Sequence, residues 1–230
     1  MYSWQSGVEK WFAYREAQQR LNEIENTAKN WELIALAKDL NPHFIANSMA
    51  TVRTLIRKSP ENALRATGLL SNIVTLYMNN EGPWIDLRRE MEMVDKLVRM
   101  YEFIKGHAIS LNVENRSDGA YMIPKMLLFN LVENALQYGE TSIREYPIWI
   151  GITLSEDNLL TLQVSNRIAA RAVAGKVSHN SALKRMERQL LLLDPQHAVL
   201  VVSNDESLFT VSVSFYQHSM VNTQIDQKNV

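Results

Sequence analysis

The apolar residues of this 230-residue chain first leave the helical period near His107, and that change limits its folds more than any other feature. Upstream, apolar residues recur at three and four: Leu21, Ile24, Ala28, Trp31 and Ala35, then Met49, Val52, Leu55 and Ile56, then Ala63, Ala66, Leu70, Ile73, Val74 and Tyr77. Downstream, Ile109, Leu111 and Val113 alternate with polar residues, as a half-buried strand requires. Helices followed by a mixture of strands and helices make an α+β chain.

In the helical half, residues 1 to about 40 are rich in Glu, Gln, Lys, Arg and Ala and predict one long helix. The seam from Leu21 to Ala35 runs over two heptads and suits a parallel dimer stalk. After His43 the helical pattern resumes and breaks at Lys58-Ser59-Pro60, where Ser59 is a natural cap and Pro60 a first helical residue. Two helices joined by a short turn predict an antiparallel hairpin. So small a pair buries too little surface alone, so two copies forming a four-helix bundle is the economical arrangement. Residues 1–80 are therefore expected to be a helical stalk and dimerisation domain.

The break Asn79-Asn80-Glu81-Gly82-Pro83 precedes residues 81–106, expected to be a connecting helix. Asp86 caps it, Arg89 and Glu90 stand in its first turn, and Gly106 ends it. In residues 107–216 the pattern predicts a first strand through Ile109, Leu111 and Val113, then an apolar helix opened by Pro124 and running to Tyr138. Two strands follow (148–154 and 159–164), then a loop from Asn166 to Asn180 and a helix over 182–193. A hairpin of 198–202 with 208–215 completes a mixed sheet of about five strands, covered on one face by two helices: an α/β sandwich. The polar tail 217–230 is expected to be disordered.

The 24 basic and 25 acidic side chains leave a net charge of -1, so no overall field draws the chain to nucleic acid, and protein or small-molecule partners are expected. Cysteine is absent, which excludes disulfides and thiolate metal sites and fits a cytoplasmic location. No signal peptide or membrane span is visible; the abrupt helical start also fits the cytoplasmic part of a membrane protein with an upstream sensor segment.

Two places carry candidate chemistry. His43 follows Pro42, which can end one helix or open the next and so fix the ring, whose neutral nitrogen is a nucleophile near pH 7. Glu133 and Asn134 interrupt the apolar run Leu127 to Leu136; unpaired burial would cost each ~1–3 kcal/mol, so their face is expected to border solvent or a cleft. Their oxygens could hold a divalent metal bridging nucleotide phosphates.

The stretch Leu40-Asn41-Pro42-His43-Phe44-Ile45-Ala46-Asn47, with Ile123-Pro124-Lys125-Met126-Leu127-Leu128-Phe129-Asn130-Leu131-Val132-Glu133-Asn134-Ala135-Leu136 some eighty residues later, resembles the LytS/YehU-type family of bacterial sensor histidine kinases. The resemblance covers roughly residues 33–216. It implies a histidine-phosphotransfer module in residues 1–80 and a sandwich of the kind shared by histidine kinases, Hsp90 and gyrase. It implies ATP and magnesium as ligands, His43 as phosphoacceptor, Glu133 as a catalytic-pocket residue, Asn134 as the magnesium ligand and Asn130 on the nucleotide face. The implied partners are a second copy of the chain and a response-regulator receiver domain.

The chain departs from that family where nucleotide would sit. The adenine-recognising Asp-x-Gly corresponds to Asn166-Arg167-Ile168, and Gly-x-Gly-Leu-x-Asn corresponds to Asn180-Ser181-Ala182-Leu183-Lys184-Arg185. A β-carbon in a phosphate loop closes space that glycine leaves to the backbone N–H groups, although Lys184 and Arg185 could compensate in charge. Two readings stay open. One is a kinase that autophosphorylates His43 with Mg-ATP; the other is a pseudokinase adaptor or anti-sigma-like protein that binds neither ligand and holds a partner kinase or regulator.

Overall fold

The computed structural model describes residues 7, 10–20, 42–79, 83–116, 121–169, 183–184, 186–188, 190–191, 198–205 and 207–217. The seam from Leu21 to Ala35, most of the loop before Asn180, Arg185 and the tail beyond 217 lie outside them. The chain divides into two compact units, Met1–Tyr77 and Met78–Val230.

In the first unit, residues 10–20 are helical, as their composition predicts. Helix α1 (Pro42–Lys58) and helix α2 (Pro60–Met78) are separated by the single residue Ser59. The Ser59 N–H donates to Leu55 O (2.7 Å), and Ser59 O accepts from Ala63 N–H (3.0 Å), so this one residue ends one helix and starts the next. Pro60 stands at the first helical position, where its missing N–H costs nothing. Each helix buries one stripe: Phe44, Ile45, Met49, Val52 and Ile56 on α1, and Ala63, Ala66, Leu70, Ile73, Val74 and Tyr77 on α2. Both stripes are buried within a single copy of the chain.

The second unit begins with strand β1 (Trp84–Asp86) and helix α3 (Leu87–Lys105). Asp86 caps α3 as expected, accepting the Arg88 N–H at 2.8 Å, and Gly106 ends it in the left-handed region (φ 75°). Strands β2 (Leu111–Asn115) and β3 (Met122–Pro124), helix α4 (Leu127–Tyr138), and strands β4 (Ile148–Leu154), β5 (Leu159–Arg167), β6 (Val199–Asn204) and β7 (Leu208–Tyr216) follow. Among the described residues the large sheet has the order β2-β4-β5-β7-β6, with β2 and β4 parallel and the other pairs antiparallel. The parallel pair needs a long crossover, and α4 lies within it. Alternate residues Ile148, Ile150 and Ile152, Leu160, Leu162 and Val164, and Val211, Val213 and Phe215 are buried, and α4 packs on β4 and β5.

Three expectations change here. Pro124 does not open α4: it ends β3, paired with Trp84, in a small antiparallel sheet of β1 and β3. Its ring fixes an extended-compatible φ and its missing N–H is tolerable in so short a strand. The helix read as a connection is a layer of the second unit, because α3 packs along α4. Strand β5 runs on past Val164 to Arg167, so Asn166 is paired with Phe209 rather than placed in a loop.

Candidate functional site

Helix α4 is buried over most of its circumference: Leu127, Leu128, Phe129, Leu131, Val132, Ala135 and Leu136 are all core residues. Asn130, Gln137 and Tyr138 are only half-buried. Asn130 and Asn134 are one turn apart on one helical face, Glu133 stands three residues after Asn130, and Gln137 continues the row. This row is the polar interruption of an otherwise apolar helix.

Of the two surroundings expected for Glu133 and Asn134, solvent or a cleft, open solvent is corrected: each is only 3% exposed. For Glu133, what permits the burial is a partner on α3. The Tyr101 hydroxyl donates to Glu133 Oε1 at 2.8 Å, within the core. Burial first, and then the adjacent Glu133 charge, push the Tyr101 hydroxyl well above its ordinary value, so it stays a protonated donor. Tyr138 is raised by the same two causes in the same order. Tyr101 belongs to the apolar stripe of α3 and carries no mark in the sequence of its role; only the packing of α3 on α4 reveals it.

Asn166 is buried and lies against the C-terminal end of α4. Its Nδ2 donates to Arg167 O at 3.0 Å, an oxygen that also accepts the Glu140 N–H at 2.8 Å. Gly139, which bonds back to Ala135 O and bridges to Ile168, is the point of closest approach: a β-carbon there would stand 2.8 Å from Asn166 Nδ2. Arg167 is turned over the ring of Tyr146, with its guanidinium carbon 4.0 Å from the ring centre.

The structure thus puts Asn130, Glu133 and Asn134 together on α4 and brings Asn166 to the end of the same helix. Lys184 is exposed, and Arg185 lies outside the described residues. His43 is in the first turn of α1, in the other unit, with its side chain outside the described part. The carboxamides of Asn130 and Asn134 and the Glu133 carboxylate offer the oxygen donors that magnesium and phosphate chemistry needs. At the position where the resemblance implies the adenine contact, Asn166 supplies no carboxylate, and one of its amide N–H groups donates to Arg167 O.

Residues 31–108 match the family described as Histidine kinase, a segment that includes His43, α1, α2 and α3. The chain is 26% identical over 159 residues to the sensor protein kinase HptS of Staphylococcus aureus (strains USA300 and NCTC 8325 / PS 47), covering 67% of this chain and 30% of that protein. It therefore spans about 30% of the length of the curated relatives it matches. Among solved structures it is similar to the Acinetobacter baumannii histidine kinase AdeS, at 10% identity and a TM-score of 0.44 over 88% of this chain and 97% of that one. A likeness to the catalytic domain of histidine kinase ThkA has 15% identity and a TM-score of 0.41 over 58% of this chain and 95% of that one. The family match and the sequence likeness together support a histidine-kinase-family domain within this chain.

Proposed function

We propose that this chain is a two-component signalling protein of the LytS/YehU type, with His43 as its phosphoacceptor and the polar row of α4 as its Mg-nucleotide site. The observation that carries the reading is the buried pair Glu133 and Asn134, with Glu133 bonded by Tyr101, in a helix that is otherwise largely apolar. Buried polar side chains are costly, and their placement beside the half-buried Asn130 is what a phosphate-binding face would require. In this reading the unit from Met78 onward is a GHKL-type nucleotide domain, and residues 1–80 dimerise as a four-helix bundle in the cytoplasm, downstream of a membrane sensor. A neutral imidazole nitrogen of His43 would take the γ-phosphoryl group and pass it to an aspartate of a response-regulator receiver domain.

A second reading has its own observation. Asn166 in place of an acidic residue, with its Nδ2 donating to Arg167 O, favours a pseudokinase adaptor or anti-sigma-like protein. Calorimetric titration with Mg-ATP to millimolar nucleotide separates the two. Binding, together with acid-labile phosphate that disappears in His43→Gln, establishes the kinase. No heat at any nucleotide concentration, with a stable partner complex indifferent to His43→Gln, establishes the adaptor.

A further inference from the structure

We propose that Glu90 is a positioning residue: from the first turn of α3 its side-chain carboxyl oxygen seats the start of α4 and so sets where Asn130, Glu133 and Asn134 stand. This rests on the reading of α4 as the nucleotide-binding helix. Helix α4 has no cap of its own, because its N-cap residue is Met126, whose side chain makes no capping hydrogen bond. Met126 also adopts the left-handed region (φ 67°), which a residue with a β-carbon accepts only where its surroundings impose it. The first N–H groups of any helix lack an intrahelical partner and need an acceptor from elsewhere.

Glu90 supplies that acceptor across the helix–helix contact. It is fully buried, and its Oε1 accepts the Phe129 N–H at 3.0 Å. The N–H groups of Leu128 and Met126 also stabilise its charged form. Oε2 is buried with no hydrogen-bond partner among the described residues, an unsatisfied group that costs stability. The residue following its contact is Asn130, the first member of the polar row. Helix α3 therefore holds α4 at two points, by Glu90 on the backbone before Asn130 and by Tyr101 on Glu133.

The test compares the full chain with Glu90→Gln, which keeps a side-chain oxygen at the same reach, and with Glu90→Ala, which removes it. Amide hydrogen exchange over residues 127–130 is the direct reading, and a Mg-ATP titration is the second. Seating by Glu90 predicts that Glu90→Ala speeds exchange at these amides by about tenfold or more while strands β4 and β5 keep their protection, and that Glu90→Gln restores the wild-type rates. Where wild type binds nucleotide, Glu90→Ala should weaken that binding by about the same factor, with Glu90→Gln again close to wild type. Unchanged exchange at 127–130 in Glu90→Ala, or equal loosening of the whole second unit, overturns the proposal. The exchange measurement reads α4 whether or not nucleotide binds, so a failure of the nucleotide reading is told apart from a failure of this one. If Glu90→Ala does not fold, Glu90→Asp, one methylene too short to reach the Phe129 N–H, carries the same comparison.

Discussion

The polar atoms buried in this chain differ in how they are satisfied, and the difference sets the direction of each substitution. Ser48, in the middle of α1, is fully buried and its hydroxyl has no partner among the described residues. Ser48→Ala removes an unsatisfied group at little loss of volume and is expected to raise stability by about 1 kcal/mol, read as a higher urea midpoint. Tyr101 is the opposite case, because its hydroxyl serves a buried carboxylate. Tyr101→Phe keeps the ring and strips Glu133 Oε1 of a donor, so stability should fall by about 1–3 kcal/mol. A double-mutant cycle with Glu133→Gln checks that the loss belongs to this pair: independent, additive effects would sink the assignment.

Among the elements, those with a sustained period were legible in the sequence, and those fixed by contact were not. The stripes of α1, α2 and α4 and the alternation in β4, β5 and β7 match their patterns, since burial of one face acts on every turn or every second residue. Strands β1 and β3 are three residues each, too short to show a period, and exist because they pair with one another. Glu90 reads in the sequence as an ordinary acidic residue in a first helical turn; its contact is with Phe129, thirty-nine residues on, which no local rule can see. The polar pair on α4 was visible, but the Tyr101 hydroxyl that serves Glu133 was not. The junction from α4 to β5 gives the sharpest prediction at this scale. Gly139 has no room for a β-carbon, which would collide with the Ala135 carbonyl oxygen and crowd Asn166. Its φ of −78° suits any residue, so the obstacle is space alone. Gly139→Ala should cost roughly 1–3 kcal/mol and displace Asn166, and thermal unfolding with hydrogen exchange at β5 measures both.

For the molecule as a whole, the titrating groups of the second unit place its greatest stability in mildly acidic solution. Burial raises the Glu90 carboxyl from 4.5 to about 8, against the pull of the Phe129, Leu128 and Met126 N–H groups, and no charged side chain contributes to the shift. Between those two values the folded chain holds a proton that the unfolded chain has released. The contribution is fully present below about 4.5 and is lost as pH rises through about 8, a change on the order of a few kcal/mol. Two half-buried carboxylates act with the opposite sign at lower pH. Asp86 is held below its ordinary value by the Arg88 side chain, and Glu140 by the Ser142 hydroxyl, so their small contributions are present above the usual carboxylate range and lost on acidification. The two units need not unfold together, so the measurement should read the second alone, through exchange of the β4 and β5 amides at a series of pH values from 5 to about 8.5, corrected for intrinsic rates. Protection in wild type should decline across that range. In Glu90→Gln, which cannot ionise, the decline should vanish and the protection at the alkaline end should exceed that of wild type. An equal decline in both proteins would place the responsible proton on another group.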